Sequence, residues 1–160
     1  MIFIDTSAIV KAYVTEQGSQ TIKNVVARLR GRLYLTPAVV LEVLGALAKH
    51  RRTNLLDQQE YQTARTAFLQ SVGVAFKLLE LREAEFTSAY SLVDRFRQFG
   101  AGSWDVLHIA SALRLRAIAP RHAVTLASAD GGMLGLARAA GLPTFNPEIE
   151  PFSALLTLER

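Results

Sequence analysis

The sequence predicts an α/β fold built on a parallel sheet, and three observations carry that expectation. Short apolar runs alternate with longer stretches of helical periodicity along the 160 residues, the pattern of strand–helix units. The opening run, MIFI, is apolar at every position, as a strand covered on both faces must be. No repeat, low-complexity tract or linker interrupts the alternation, so one domain over residues 1–160 is expected.

Taken in order, Met1 to Ile4 forms the first strand and a short helix follows near Ala8 to Val14. Ser19 reads as an N-cap for a helix whose stripe is Ile22, Val25, Val26 and Leu29, with Gly31 as its stop. Leu33 to Leu35 is a second strand. Thr36–Pro37 supplies an N-cap and a first-turn proline, opening a helix to about Arg52. Asp57 and Glu60 have capping-box spacing, and Leu56 with Tyr61 fits a hydrophobic staple. Val74 to Leu78 is the third strand. Phe86, Ala89, Tyr90, Val93 and Phe96 then mark a helix face closed by Gly100. Ser103 caps a helix running from Trp104 to about Ala117. Ala123 to Ala127 is the fourth strand, a helix spans about Gly131 to Ala140, and Pro143 to Asn146 is a short edge strand.

Composition narrows the function. Half the residues are hydrophobic and a fifth are charged, which excludes a disordered chain. With no cysteine there are no disulfides, thiolate metal sites, iron–sulfur clusters or cysteine nucleophiles. A cytoplasmic location is expected: no apolar run reaches the roughly 18 residues of a membrane helix, and MIFIDTS lacks the basic stretch of a signal peptide. The net charge is +4, and 14 of the 18 basic residues are Arg, whose planar fork suits phosphates. Charge alone leaves nucleic-acid binding and plain solvated helix faces as comparable readings.

Four acids stand out by position. Asp5 directly follows the apolar first strand, Asp105 opens the apolar helical turn SWDVLHIASAL, and Asp130 follows the fourth strand. Glu42 is the only charge in PAVVLEVLGALA. A helix apolar nearly all round is expected to be buried, and a buried carboxylate needs a partner. Singly, Asp130 also reads as a plain N-cap and Asp105 as a complement to its helix dipole. Together they fit one rim. In an open parallel sheet, ligands collect beyond the carboxyl ends of the strands, where strand order reverses. Asp5, Asp105 and Asp130 can meet there, and Glu42 can join them if the second strand neighbours the first. Four clustered carboxylates repel unless cations share them. An all-oxygen set selects hard cations, Mg²⁺ or Mn²⁺.

These residues resemble the PIN-domain ribonucleases, most closely the VapC-type toxins of toxin–antitoxin pairs. The resemblance rests on IDTSAIVKAYVTEQGS, TPAVVLEVLGAL, WDVLHIASAL and LASADGGMLGLARAAGLPTFNP, in the family's order and spacing over essentially the whole chain. It implies a three-layer α/β/α sandwich whose parallel sheet has the order 3-2-1-4-5. It implies that Asp5, Glu42, Asp105 and Asp130 are the catalytic acids and metal ligands of a Mg²⁺- or Mn²⁺-dependent endoribonuclease. Water would be the nucleophile, leaving 5′-phosphate and 3′-hydroxyl ends. The partners implied are an RNA substrate, a cognate antitoxin whose tail covers the acidic cleft, and a second copy of the chain in a homodimer; no membrane is involved.

Within that resemblance, Asp5 and Asp105 are the primary ligands, Glu42 acts directly or through water, and Asp130 completes the site. Thr6 and Ser7 either orient Asp5 or a metal-bound water, or satisfy the turn and cap the following helix. Ser128 keeps a hydroxyl near Asp130 where the family often has Thr. The sequence departs from the family at Gly131 and Gly132, which replace a frequent basic or bulky polar residue. A looser loop is expected there, with Arg114, Arg116 and Arg121 as alternative sources of positive charge or as ordinary solvated residues. His108, one turn after Asp105, is read first as a locally bonded helix-edge histidine and second as a general acid. His50 suits the end of its helix. The helical Phe and Tyr residues read as core. The competing functions are a non-catalytic PIN-like RNA- or protein-binding scaffold and a phosphotransfer domain. The second is disfavoured because Ser7 stands where a haloacid-dehalogenase-type phosphatase needs Asp.

Overall fold

The computed structural model describes residues 1–158. Five parallel strands form one sheet, β1 (Ile2–Ile4), β2 (Leu33–Leu35), β3 (Phe76–Leu78), β4 (Thr125–Ala127) and β5 (Thr144–Phe145), in the order β3-β2-β1-β4-β5. The expected order is the observed one. The register pairs Phe3 with Tyr34 on one side and with Leu126 on the other. All three residues of β1 are fully buried, which is why its sequence carries no polar alternation.

Among the described residues, eight α-helices cover the sheet: α1 (Thr6–Ile9), α2 (Ser19–Arg28), α3 (Pro37–Arg52), α4 (Gln58–Ser71), α5 (Glu83–Arg95), α6 (Ser103–Ile118), α7 (Gly131–Ala139) and α8 (Phe152–Leu158). Right-handed crossovers place the helices joining β1, β2 and β3 on one face and those joining β3, β4 and β5 on the other. The packing agrees, with α3 against α1 and α4, and α6 against α5 and α7. The core between the layers is built on Phe3, Phe68, Phe76 and Phe145, all fully buried.

Several local expectations hold. Thr36 caps α3 by accepting from the Val39 N–H, and Asp57 and Glu60 form the capping box of α4. Others change. The helix expected near Ala8 starts at Thr6 and tightens into a 3₁₀ turn at Val10–Ala12. The N-cap of α2 is Gly18, at φ 82° with the Pro147 carbonyl oxygen 2.9 Å from where a Cβ would stand. Only glycine fits that combination. The cap of α6 is Gly102 rather than Ser103. Helix α8, absent from the sequence reading, packs on α2; seven residues are too few for periodicity to announce it.

Two surfaces differ more substantially. Helix α3 is not buried all round: Val39, Val43 and Leu47 face the core, but Leu41 is 68% exposed. The aromatic face of α5 is only partly core, since Phe96 is buried whereas Phe86 and Tyr90 are exposed. With Val93 and Trp104 they line an apolar cleft of about 310 Å³ between α5 and α6. Arg114 on α6 pairs with the buried Glu85 at 2.5 Å and donates to the Glu80 carbonyl. Arg116 donates to the Gly141 carbonyl. These two arginines therefore hold the fold together. Lys11 is likewise buried, bonded to Glu148 at 2.7 Å and near Glu16 at 3.3 Å, tying the first helices to the chain after β5.

Candidate metal centre

The chain runs from β1 to β2 to β3 in one direction and returns to β4 and β5 on the other side of β1. The β1/β4 junction is therefore the switch point, where the loops leaving the two strands part and open a crevice. Asp5 stands at its centre. Its N–H still extends the sheet, donating to the Ala127 carbonyl at 2.9 Å, while its side chain caps α1. Asp5 is 7% exposed, and its carboxylate is held by one oxygen. Oδ2 accepts from the Ser7 N–H at 3.2 Å, the Ser7 hydroxyl at 2.6 Å and the Ser128 hydroxyl at 2.9 Å. Those hydroxyls also accept, Ser7 from the Ala129 N–H and Ser128 from the Asp130 N–H. Ser7 and Ser128 thus join the end of β1 to the loop after β4.

Glu42 reaches the crevice from α3, since β2 does neighbour β1. Its Oε2 accepts from the Thr6 hydroxyl at 2.6 Å and faces His108 Nε2 at 2.8 Å. Thr6 therefore orients Glu42 and not Asp5, while Ser7 does orient Asp5. Burial opposes the charge on Glu42, but the bonds from His108 and Thr6 outweigh it and hold the carboxyl below its ordinary pKa. The carboxylate is ionised and accepts only, so Nε2 carries the hydrogen.

Asp105 and Asp130 complete the rim by a different local device, the free N–H groups of a helix start. Asp105 Oδ2 accepts from the Gly102 N–H at 2.9 Å, and Asp130 Oδ1 accepts from the Met133 N–H at 2.9 Å as the N-cap of α7. Asp105 is pushed above the usual carboxylate range, first by burial, against the Gly102 N–H, and then by the charges of Asp5 and Asp130. That mutual repulsion places three of the acids within one electrostatic neighbourhood. Among the described residues, ligand atoms lie within 4.8 Å of one another in one group, Asp5, Glu42 and His108, which Asp105 and Asp130 do not join.

Gly131 and Gly132 do not form the looser loop expected of them. They are the first turn of α7, and a Cβ on Gly132 would stand 3.1 Å from Asp130 Oδ1. On Gly102 it would stand 3.2 Å from Asp105 Oδ2. Both glycines leave room for a neighbouring carboxylate.

Each acid engages the protein through one oxygen. Among the described residues, no hydrogen bond reaches Asp5 Oδ1, Glu42 Oε1, Asp105 Oδ1 or Asp130 Oδ2. Four carboxylates, each oriented through one oxygen and bare at the other, suit a hard divalent cation. His108 does not add a ligand. Its Nε2 is spent on Glu42, and its Nδ1 is buried without a partner. The sequence reading preferred a histidine bonded locally at a helix edge. The residue is instead 1% exposed and bonded across to α3. Its one visible signal was its spacing, three positions after Asp105 on the same side of the helix.

Comparison with known proteins bears on the family and the fold. The PIN domain matches residues 2–140. No curated protein sequence gives a significant match. Among solved structures, FitAcB from Neisseria gonorrhoeae superposes with a TM-score of 0.69 at 19% identity, over 94% of this chain and 100% of that one. VapC20 from Mycobacterium tuberculosis, described as a sarcin–ricin loop cleaving toxin, gives 0.65 at 18% identity, over 94% of this chain and 100% of that one. VapBC2 from Rickettsia felis, bound to a DNA fragment from its promoter, gives 0.65 at 16% identity, over 91% and 98%. Likeness at these identities speaks for the fold.

Proposed function

The chain belongs to the PIN-domain family, whose members are typically nucleases, and from that premise we propose that it is a Mg²⁺- or Mn²⁺-dependent endoribonuclease, the toxin of a type II toxin–antitoxin pair. The observation that carries this reading is the set of four carboxylates at the β1/β4 switch point, each with one oxygen fixed and one bare. When bound, the cation supplies Lewis-acid charge and an acidified water for in-line attack at phosphorus. Asp5 and Asp105 hold it, Asp130 closes the outer side, and Glu42 orients the attacking water or binds directly through Oε1. Ser7, Ser128 and Thr6 keep the carboxylates aimed, so no side chain has to reorganise when the phosphodiester arrives. Cleavage then leaves a 5′-phosphate and a 3′-hydroxyl.

The proposed partners are the RNA substrate, an antitoxin covering the acidic crevice and a second copy of the chain. The exposed cleft of Phe86, Tyr90, Val93 and Trp104 supports a protein contact, because contiguous apolar surface of this kind favours association. The proposed location is the cytoplasm. Among the described residues, no helix is long and apolar enough to cross a membrane.

Trp104, the only tryptophan, adjoins Asp105 and reports on the site. Mn²⁺, a paramagnetic quencher, should dim its fluorescence in the wild type, and the same samples should cut labelled RNA. Asp5→Asn should lose both signals. Quenching with RNA binding but no cutting in the wild type would favour a scaffold, and neither signal would defeat the metal-nuclease reading.

A further inference from the structure

We propose that His108 is a positioning residue, which sets the orientation of Glu42 and through it the affinity of the cation site. This rests on the metal-centre reading above and adds His108 to the side chains that aim its carboxylates.

Glu42 projects from α3, a helix that packs chiefly on α1 and α4. Its side chain has three torsions, and left free it would sample orientations that turn Oε1 away from the crevice. Two donors remove that freedom. Thr6 grips Oε2 from α1, the helix capped by Asp5, at 2.6 Å, and His108 grips the same oxygen from α6, which carries Asp105, at 2.8 Å. The elements that hold the other ligands thereby also hold Glu42, and both bonds fall on one oxygen. One carboxylate oxygen each of Glu42 and Asp5 and a ring nitrogen of His108 lie within 4.8 Å of one another.

The surroundings of His108 favour this role over three others. As a ligand it would have to give up the Glu42 bond, because the opposite ring nitrogen is buried. As a general acid it would need to reach substrate, and it is 1% exposed. As a plain core residue it would need no polar partner at all. Its ring lies 6.1 Å from that of Phe3, tilted at 45°, and Nδ1 makes no hydrogen bond among the described residues. An apolar side chain of similar size would therefore keep the packing and lose only the Nε2 bond.

The test uses the full chain, with Mn²⁺ as probe and quenching of Trp104 as readout. His108→Leu should weaken Mn²⁺ about 10- to 100-fold, the range for losing a side chain that orients a metal ligand. His108→Gln, whose amide N–H reaches a similar point, should restore most of that affinity. In a Glu42→Gln background, His108→Leu should add no further loss, because the pair acts as a unit. Unchanged Mn²⁺ affinity in His108→Leu would make the residue packing alone and overturn the proposal. So would a His108→Gln variant as weak as His108→Leu, which would require the imidazole itself as ligand. An undiminished effect of His108→Leu in the Glu42→Gln background would also overturn it. If wild type binds no Mn²⁺, the metal-centre reading falls and takes this one with it, an outcome distinct from wild-type binding that ignores His108.

Discussion

The crevice has two halves built on opposite principles. The inner half, Asp5 with Glu42, is braced largely by side chains: neighbouring Ser7 and distant Ser128 for Asp5, and distant Thr6 and His108 for Glu42. The outer half, Asp105 with Asp130, is braced by backbone N–H groups three residues away in sequence. The braces from Ser128, Thr6 and His108 exist only once the tertiary fold has assembled, and they orient a carboxylate from several directions. Backbone braces form with the helix itself but hold one oxygen by one bond. Asp5 is buried, Glu42 and Asp105 are each half-buried, and Asp130 is exposed. The contrast suggests a division of labour, with the inner pair fixing the cation and the outer pair completing the site.

Removing an inner acid should give the largest effect. Asp5→Asn keeps an acceptor for the Ser7 and Ser128 donors but lacks the charge, so RNA cleavage should fall to background while the fold survives. Asp5→Ala additionally strands those buried donors, at about 1–3 kcal/mol, visible as a lower midpoint in urea. Asp130→Ala, in the outer half, should lose about 1 kcal/mol for the N-cap and retain measurable cleavage. Equal losses of cleavage in Asp130→Ala and Asp5→Asn would erase the distinction.

Next in size is the electrostatic response of Asp105. Its pKa is raised, so the folded state holds the proton more firmly than the unfolded chain does. The charged carboxylate therefore costs stability above that raised range, and the cost disappears as pH falls through it. In EDTA, Asp105→Asn should melt higher than wild type at neutral pH, and the gap should close on acidification. Glu42 runs the other way: its lowered pKa contributes stability at neutral pH that is lost as pH drops from the ordinary carboxylate range through the lowered one. Glu42→Gln should therefore melt no higher than wild type at neutral pH. A higher melting temperature for Glu42→Gln would mean that its braces do not offset its burial.

Acid should also weaken Mn²⁺ binding, since ligands must be deprotonated to bind. Asp105, with the raised pKa, should protonate early in that descent. The wild-type Mn²⁺ midpoint should accordingly rise as pH falls. A midpoint flat with pH through the carboxylate range would count against Asp105 as a ligand.

The smallest effect should come from Gly132→Ala. Alanine is the better helix former by about 1 kcal/mol, but its Cβ would press on Asp130 Oδ1 at 3.1 Å. Stability should change little while cleavage declines a few-fold, and a comparison of melting curve and rate on the same preparation checks both. An unaffected rate would show that the outer carboxylate tolerates displacement.

Much of this could be read from the chain before any coordinates. Alternating apolar runs and helical stripes are local patterns, and β2, α3, α4 and α6 fall where those patterns put them. The four acids were visible because a charge at the end of a strand, or alone in an apolar helix, costs free energy unless something uses it. Local caps such as Asp57 with Glu60 were visible for the same reason: both partners lie within one turn.

Tertiary structure alone decided the braces of Glu42. Thr6 sits beside Asp5 in sequence yet bonds Glu42, 36 residues away, and His108 bonds Glu42 across 66. No spacing rule encodes such pairs, because they depend on how β2 and α6 are placed around β1. The exposure of Leu41 and of the α5 aromatics is of the same kind, since a stripe of apolar residues does not say how much of it a neighbour will cover. Periodicity and capping act over one or two turns and survive in the sequence. The aim of a carboxylate, and the burial of the histidine that holds it, are set by contacts through space that only the assembled sheet and its helices create.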